Sequence, residues 1–299
     1  MNRILFERSE LRPDGSAVFG GERAMHVMSV LHGEVGQTLK TGVVGGMLGT
    51  SVIKLIDPVG TDAEGNPAWR ITVDCTHGSH PLPPWCDMIL APPRPRVMKR
   101  LLPQLATLGV RRIFLVGAEK VEKAFWGAQL LKEPIYHPLL VDGLMQGAVA
   151  TELPSINIRK NFSQWIEKGS FDLDFSGQNF RILAHPPTGT GPNGTGTGPN
   201  VMGTDPNGTG TGPNVMGTGP NGTGTGPNEM GTGPNRTEKV PIFAIGPEGG
   251  WTDREVALLE ANGFVRCGLG PRILKTETAT VALLSMFMAR DASPMNRAG

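Results

Sequence analysis

Hydrophobic positions along the chain fall into short runs of strand length separated by glycine, proline and aspartate. Before residue 80, such runs stand at Ile4 to Phe6, Val52 to Ile56 and Trp69 to Val73, with Pro-Asp-Gly and Gly-Gly turn signals between them. This pattern predicts a small β-rich unit. One helical spacing interrupts it, because Met25, Met28 and Leu31 recur on one face between Glu22 and His32, with His26 and His32 among them. Pro81-Leu82-Pro83-Pro84-Trp85 then reads as an extended linker, since successive prolines fix φ and push the residues before them out of the helical region. We therefore expect two units, 1–80 and 81–299.

The pattern changes after the linker. Asp87 to Ala91 reads as a buried strand, Val97 to Gly109 carries Leu101, Leu102, Leu105 and Leu108 on a helical face, and Arg112 to Val116 reads as a second strand. A strand, helix, strand order argues for a parallel sheet covered by helices. Two further runs, Phe180 to His185 and Val240 to Ile245, have strand character. Between them, residues 188–235 repeat with a period of fourteen, visible at Val201-Met202-Gly203, Val215-Met216-Gly217 and Glu229-Met230-Gly231. Nearly everything else there is Gly, Thr, Pro or Asn. Such a segment has too few apolar side chains to offset its ordering entropy, so it is expected as a flexible surface insertion in the second unit. Loop closure costs grow only logarithmically with length, so the insertion need not unfold the core.

Composition narrows the function classes little. The net charge of +1 gives no evidence of a polyanion partner, and removing the insertion's two carboxylates, Asp205 and Glu229, leaves only +3. Cys75, Cys86 and Cys267 stand far apart, so neither a zinc site nor a disulfide framework is indicated and no metal is expected. With no apolar run of membrane-spanning length and no signal-like N-terminus, the expectation is a cytoplasmic protein with no membrane association.

The chemistry concentrates in two glycine-bearing loops that each follow a short apolar run and lead into a helix. The first reads Gly246-Pro247-Glu248-Gly249-Gly250-Trp251-Thr252, and the second Leu269-Gly270-Pro271-Arg272-Ile273-Leu274-Lys275-Thr276-Glu277-Thr278-Ala279. Glycines let a ligand approach bare backbone amides, and Thr252 to Glu255 has capping-box spacing, so a helix should start there with its positive end towards the loop. Gly246 to Gly250 is equally compatible with a tight strand-to-helix connection. Neither loop matches a dinucleotide or phosphate-binding fingerprint.

These paired loops resemble those of the SPOUT class of S-adenosylmethionine-dependent methyltransferases. More narrowly, they are similar to the 16S ribosomal RNA (uracil-N3) methyltransferase family, with its G-P-E-G-G loop and its L-G-x-R-I-L-[RK]-x-E-T-A loop. The similarity extends upstream to Pro93-Arg94-Pro95-Arg96, Leu108-Gly109-Val110 and Val121-Glu122-Lys123-Ala124-Phe125-Trp126. In the first unit, His26 and Val30-Leu31-His32 follow the family pattern, except that histidine stands in place of arginine. Gln146 to Pro154 follows it loosely.

The resemblance implies an α/β fold: a knotted (trefoil) SPOUT methyltransferase domain preceded by a small PUA-like β-barrel domain. It implies a homodimer acting on ribosomal RNA of the small ribosomal subunit, with S-adenosyl-L-methionine as cofactor. It places Leu183, Ile245, Gly246, Glu248, Gly249, Gly250, Leu269, Gly270, Ile273 and Leu274 around that cofactor, although the apolar members also fit plain core strands. Glu248 could hold ribose hydroxyls or cap its own loop. Arg3, Arg23, Arg94, Arg96 and Lys123 are the expected RNA contacts. The basic cluster around Arg94, Arg96, Lys99, Arg100, Arg111 and Arg112 reads, on residue type alone, as a solvated face. His26 reads on the same grounds as a structural histidine.

Methyl transfer to uracil N3 requires removal of an imide proton, which places negative charge on the flanking carbonyl oxygens. A fixed cation would stabilise that charge. Arg272 is the first candidate, Lys275 an auxiliary cation, and Glu277 either orients them or serves as a helix-start residue. The alternative is an RNA-binding protein of the same fold that acts on another RNA or has lost turnover.

Overall fold

The computed structural model describes residues 1–61, 65–167, 170–175, 180–185 and 240–291, and the expected insertion at 188–235 lies outside them. Five strands form the first sheet: β1 (Ile4–Phe6), β2 (Ser16–Phe19), β3 (Thr38–Val43), β4 (Leu48–Thr61) and β5 (Pro67–Ser79), in the order β1-β3-β4-β5-β2. β4 and β5 are much longer than their apolar runs, because exposed residues continue the antiparallel ladder through three register irregularities beyond the buried positions. β1 pairs with β3 in parallel, a long-range choice that the short run Ile4 to Phe6 does not specify locally.

Between β2 and β3, α1 (Gly21–Ser29) buries Ala24 and Val27. It ends before His32, which has φ 49° outside the helix. The core of this unit is Ile4, Phe6, Phe19, Val27, Leu39, Ile53, Ile71 and Val73 with their small neighbours. Arg23 closes one side: it pairs with Glu10, donates to the Leu5 carbonyl at 2.9 Å, and its guanidinium lies 6.0 Å from the Phe6 and 5.7 Å from the Phe19 ring centroids.

The second sheet contains β6 (Cys86–Leu90), β7 (Val110–Val116), β8 (Ser155–Arg159), β9 (Arg181–Ala184), β10 (Ile242–Ile245) and β11 (Val265–Cys267). All are parallel, in the order β11-β9-β10-β6-β7-β8. Its interior strands are mainly apolar, as covering helices require, with charged residues near the starts of β6, β7 and β9. β6 is buried throughout, Asp87 included. That carboxylate receives Arg111 Nη2 and Arg112 Nη2 at 2.6 Å each, so its burial is offset by two charge-assisted contacts.

The helices are α2 (Pro95–Thr107), α3 (Glu133–Gly147), α4 (Phe162–Glu167), α5 (Ser170–Asp174), α6 (Asp253–Ala261) and α7 (Thr276–Asp291). α2 packs on α3 and α7, while α4 packs on α5 and α6. The sequence pattern does not announce α3, since it carries Pro134 near its start and Pro138 inside, and its apolar residues are not confined to one face. Gly143 lets α2 and α3 meet: a Cβ there would stand 2.1 Å from the Pro103 carbonyl oxygen. No helix among the described residues is long and apolar enough to cross a membrane.

Candidate functional site

In an open parallel sheet, ligands bind outside the carboxyl ends of the strands, where connections leave in different directions. Here those ends are Leu90, Val116, Arg159, Ala184, Ile245 and Cys267. β9 lies between β10 and β11, with Ala184 opposite both Ile245 and Cys267. The two glycine loops therefore rise from strands separated by one intervening strand, roughly 10 Å apart, with the end of β9 as the floor between them.

The first loop is a turn closed by the Gly250 N–H donating to the Pro247 carbonyl at 2.8 Å, with Gly250 at φ 69°. It runs into α6 through the capping box its sequence predicts. Thr252 N–H donates to Glu255 Oε2 at 2.9 Å, and Thr252 Oγ1 accepts from Glu255 N–H at 3.4 Å. Glu255 is buried and its other oxygen accepts from the Glu119 N–H at 2.7 Å, which ties α6 to the connection after β7. Lys120 in that connection donates to the Gly249 carbonyl at 2.9 Å. Its stem lies along the loop, since a Cβ on Gly249 would meet Lys120 Cδ at 3.1 Å.

Glu248 is exposed, and its carboxylate stands 3.6 Å from the Arg94 guanidinium, which also donates to the Glu122 carboxylate at 3.0 Å. Arg94 caps the start of α2, so connections after three adjacent strands, β7, β6 and β10, are joined by one exposed charge network. Beneath the loop, Trp251 is buried against Phe162, ring centroids 5.1 Å apart.

The second loop is open. Gly270 has φ 96°, Pro271, Arg272 and Lys275 are exposed, and Ile273 is 99% exposed, while Leu269 and Leu274 are half-buried. Leu183 and Ile245 are buried within the sheet. The structure thus gathers Gly246, Glu248, Gly249 and Gly250 on one side and Leu269, Gly270, Arg272, Leu274 and Lys275 on the other, and leaves the Ile273 side chain in solvent. Glu277 starts α7 and faces Arg100 of α2 at 3.5 Å, so its carboxylate joins two helices.

Among the expected RNA contacts, Arg94, Arg96 and Lys123 are exposed near this edge. Arg3 and Arg23 are engaged inside the fold. Arg3 donates to the carbonyls of Ala148, Thr41 and Gly49 at 2.7, 2.6 and 2.9 Å, and Arg23 is held by Glu10 and Leu5.

Reading the sequence assigns no site role to His185, Lys120 or Glu255. His185 directly follows β9 and its N–H donates to the Cys267 carbonyl at 3.3 Å. Burial holds its imidazole pKa below the ordinary histidine value; Arg266 and Lys120 push the same way, against Asp253 and Glu260. A histidine at the end of a predicted strand beside the loops is the signal that would have singled it out.

The RNA methyltransferase domain sequence model matches residues 223–288, a span that contains both loops. The ribosomal RNA small subunit methyltransferase E of Treponema pallidum is 28% identical over 298 residues, covering 97% of this chain and 91% of that protein. The chain is thus similar over nearly its whole length to a ribosomal RNA small subunit methyltransferase, and its last part carries the RNA methyltransferase domain pattern. Its fold is shared with a methyltransferase of Legionella pneumophila solved with bound cofactor SAM, at TM-score 0.57 and 19% identity over 97% of each chain. A ribosomal RNA small subunit methyltransferase E from Neisseria gonorrhoeae, bound to S-adenosyl methionine, superposes with TM-score 0.56 and 16% identity over 97% of each chain. In this chain the motif-bearing loops coincide with the carboxyl edge of the sheet. Two clefts of about 380 and 320 Å³ lie elsewhere, the first between α2 and α3 beside Met1 and the second between the first unit and α3, lined in common by Asp142 and Met145. We assign the site to the loops because the glycines, the helix start and the strand ends converge there.

Proposed function

We propose that this chain methylates N3 of a uridine in 16S ribosomal RNA of the small subunit, using S-adenosyl-L-methionine. The observation that carries the reading is the convergence of the G-P-E-G-G loop and the L-G-P-R-I-L-K loop across the end of β9. The residues fit the cofactor: glycines bare the backbone on one side, and half-buried Leu269 and Leu274 offer apolar contact on the other. When bound, the cofactor supplies a methyl group on a sulfonium, an electrophile that needs no metal.

Positioning and electrostatics then fall to the protein. The backbone of Gly246 to Gly250, held from below by Lys120 and Glu255, fixes the cofactor's polar edge. Arg272, whose exposed guanidinium is free to meet RNA, stabilises the charge that develops on the uracil carbonyls as N3 loses its proton. Lys275 assists. Glu277, engaged with Arg100, holds the start of α7 and so the end of the second loop.

The same reading extends to the finer architecture. Residues 1–80 form a PUA-like RNA-binding barrel, and residues 81–299 form the SPOUT domain in which the last strand and helix thread a trefoil knot. Two copies assemble as a homodimer in the cytoplasm, the partner completing the site around the exposed second loop. Arg94, Arg96 and Lys123 contact RNA.

The test is incubation with labelled S-adenosylmethionine and small-subunit RNA from cells lacking the modification, with the product mapped by mass spectrometry. A methyl group on uridine N3 is expected. Methylation at another atom would overturn the substrate reading, and RNA binding without label transfer would favour the non-catalytic alternative.

A further inference from the structure

Trp251 carries a hydrogen-bond donor with no use inside the described fold. The residue is 4% exposed, and its Nε1 is buried without a hydrogen-bond partner. The ring is fixed from below by Phe162, with an interplanar angle of 32°. Its Cδ1–Nε1 edge faces Gly246: a Cβ built there would lie 3.0 Å from Cδ1 and 3.1 Å from Nε1. A side chain at 246 would press on that edge of the indole, so glycine stands at the head of the loop that leaves β10.

Leaving a buried N–H unpaired has a desolvation cost comparable to a lost hydrogen bond, so such groups in folded proteins call for a partner. A phenylalanine would keep an aromatic ring over Phe162 without an orphan donor. Two of the loop's backbone groups are engaged within the fold, the Gly250 N–H on the Pro247 carbonyl and the Gly249 carbonyl on Lys120, and neither turns to the indole. What the niche lacks is an acceptor for the indole N–H.

We propose that the Trp251 indole N–H is a cofactor-binding donor, completed by an acceptor atom of S-adenosylmethionine seated against Gly246, an inference that rests on the cofactor reading above. The donor is carried on a buried ring rather than on a mobile side chain, so it is pre-positioned and little side-chain entropy is lost on binding.

The experiment titrates the full-length protein with S-adenosylhomocysteine, following the ¹H–¹⁵N indole resonance of Trp251, assigned by its loss in W251F. The resonance should move downfield as the ligand binds. W251F should bind about tenfold more weakly by calorimetry, the scale of one neutral hydrogen bond, yet melt no lower than the parent without ligand, because the orphan donor has been removed. A purely structural tryptophan predicts the reverse: lower melting and unchanged affinity. Parental binding with an unmoved resonance, or parental affinity in W251F, overturns this proposal alone. A parental protein that takes up no ligand overturns the cofactor reading and this proposal with it.

Discussion

The Lys120 ammonium donates to the Gly249 carbonyl oxygen at 2.9 Å, joining the connection after β7 to the glycine loop after β10. The two residues are exposed, so the bond adds little to global stability, and its consequence is local. Lys120→Met keeps the stem that lies along Gly249 and removes the donor. We expect unfolding in urea to change by less than ~1 kcal/mol, while affinity for S-adenosylmethionine falls several-fold because the loop loses a tether. Calorimetry and denaturation on the same preparation check the split; equal effects on both would make Lys120 an ordinary surface residue.

Arg272 stands at the opposite side of the gap. Arg272→Ala should lower single-turnover methylation on the order of a hundredfold or more, while cofactor affinity stays near parental. Lysine should rescue poorly, because a compact ammonium lacks the planar fork that can engage a carbonyl and a second acceptor together. Parental turnover with saturating RNA and cofactor would shift the role to Lys275.

At the α2–α3 contact, Gly143→Ala places a methyl group against backbone, 2.1 Å from the Pro103 carbonyl oxygen, where no rotamer change relieves it. Destabilisation of about 2–3 kcal/mol is expected. Gly127→Ala is the control, since a Cβ there meets nothing within 4 Å, and should stay within ~0.5 kcal/mol. Chemical denaturation of both variants measures the contrast.

Asp87 is fully buried between Arg111 and Arg112, and hydrogen bonding to it raises the Arg111 pKa above the ordinary arginine value. Asp87→Asn leaves two guanidinium groups facing a neutral amide. We expect a loss of about 3 kcal/mol in unfolding free energy, the range for removing one partner of a buried pair. A variant as stable as the parent would show that Arg111 and Arg112 find solvent instead.

His185 makes stability depend on pH. Its folded pKa is lowered chiefly by burial, so the unfolded chain binds a proton at a pH where the folded protein does not. The stabilising contribution is thus present above the unfolded value of 6.5 and is lost as pH falls below it towards the depressed folded value. His77, lowered by burial and by Arg3, acts in the same direction. His185→Gln should flatten the fall in melting temperature across this window. An unchanged slope would mean that the imidazole titrates normally.

Much of the local structure was written in the chain itself. The apolar runs at Ile4 to Phe6, Asp87 to Ala91 and Val240 to Ile245 became strands because burial on the pleat selects them, and Thr252 and Glu255 form the predicted cap because their spacing alone lets each reach the other's amide. The two loops were legible as motifs. Their placement was not, because strand order is a choice among long-range pairings that local periodicity does not record. Only the tertiary structure sets β9 between β10 and β11, with Ile182 facing both Phe243 and Val265, so that loops distant in the chain flank one strand end. The same limit hid the fate of the arginines. Arg3 and Arg23 look like free cations in the sequence, yet folding brings the Ala148 carbonyl to one and Glu10 to the other, since a guanidinium near a half-buried edge is stabilised by whatever acceptors the fold delivers. Buried Trp251 is the last case: its apolar ring announces a core position, and only packing on Phe162 and the bare Cα of Gly246 decide where its one polar atom points.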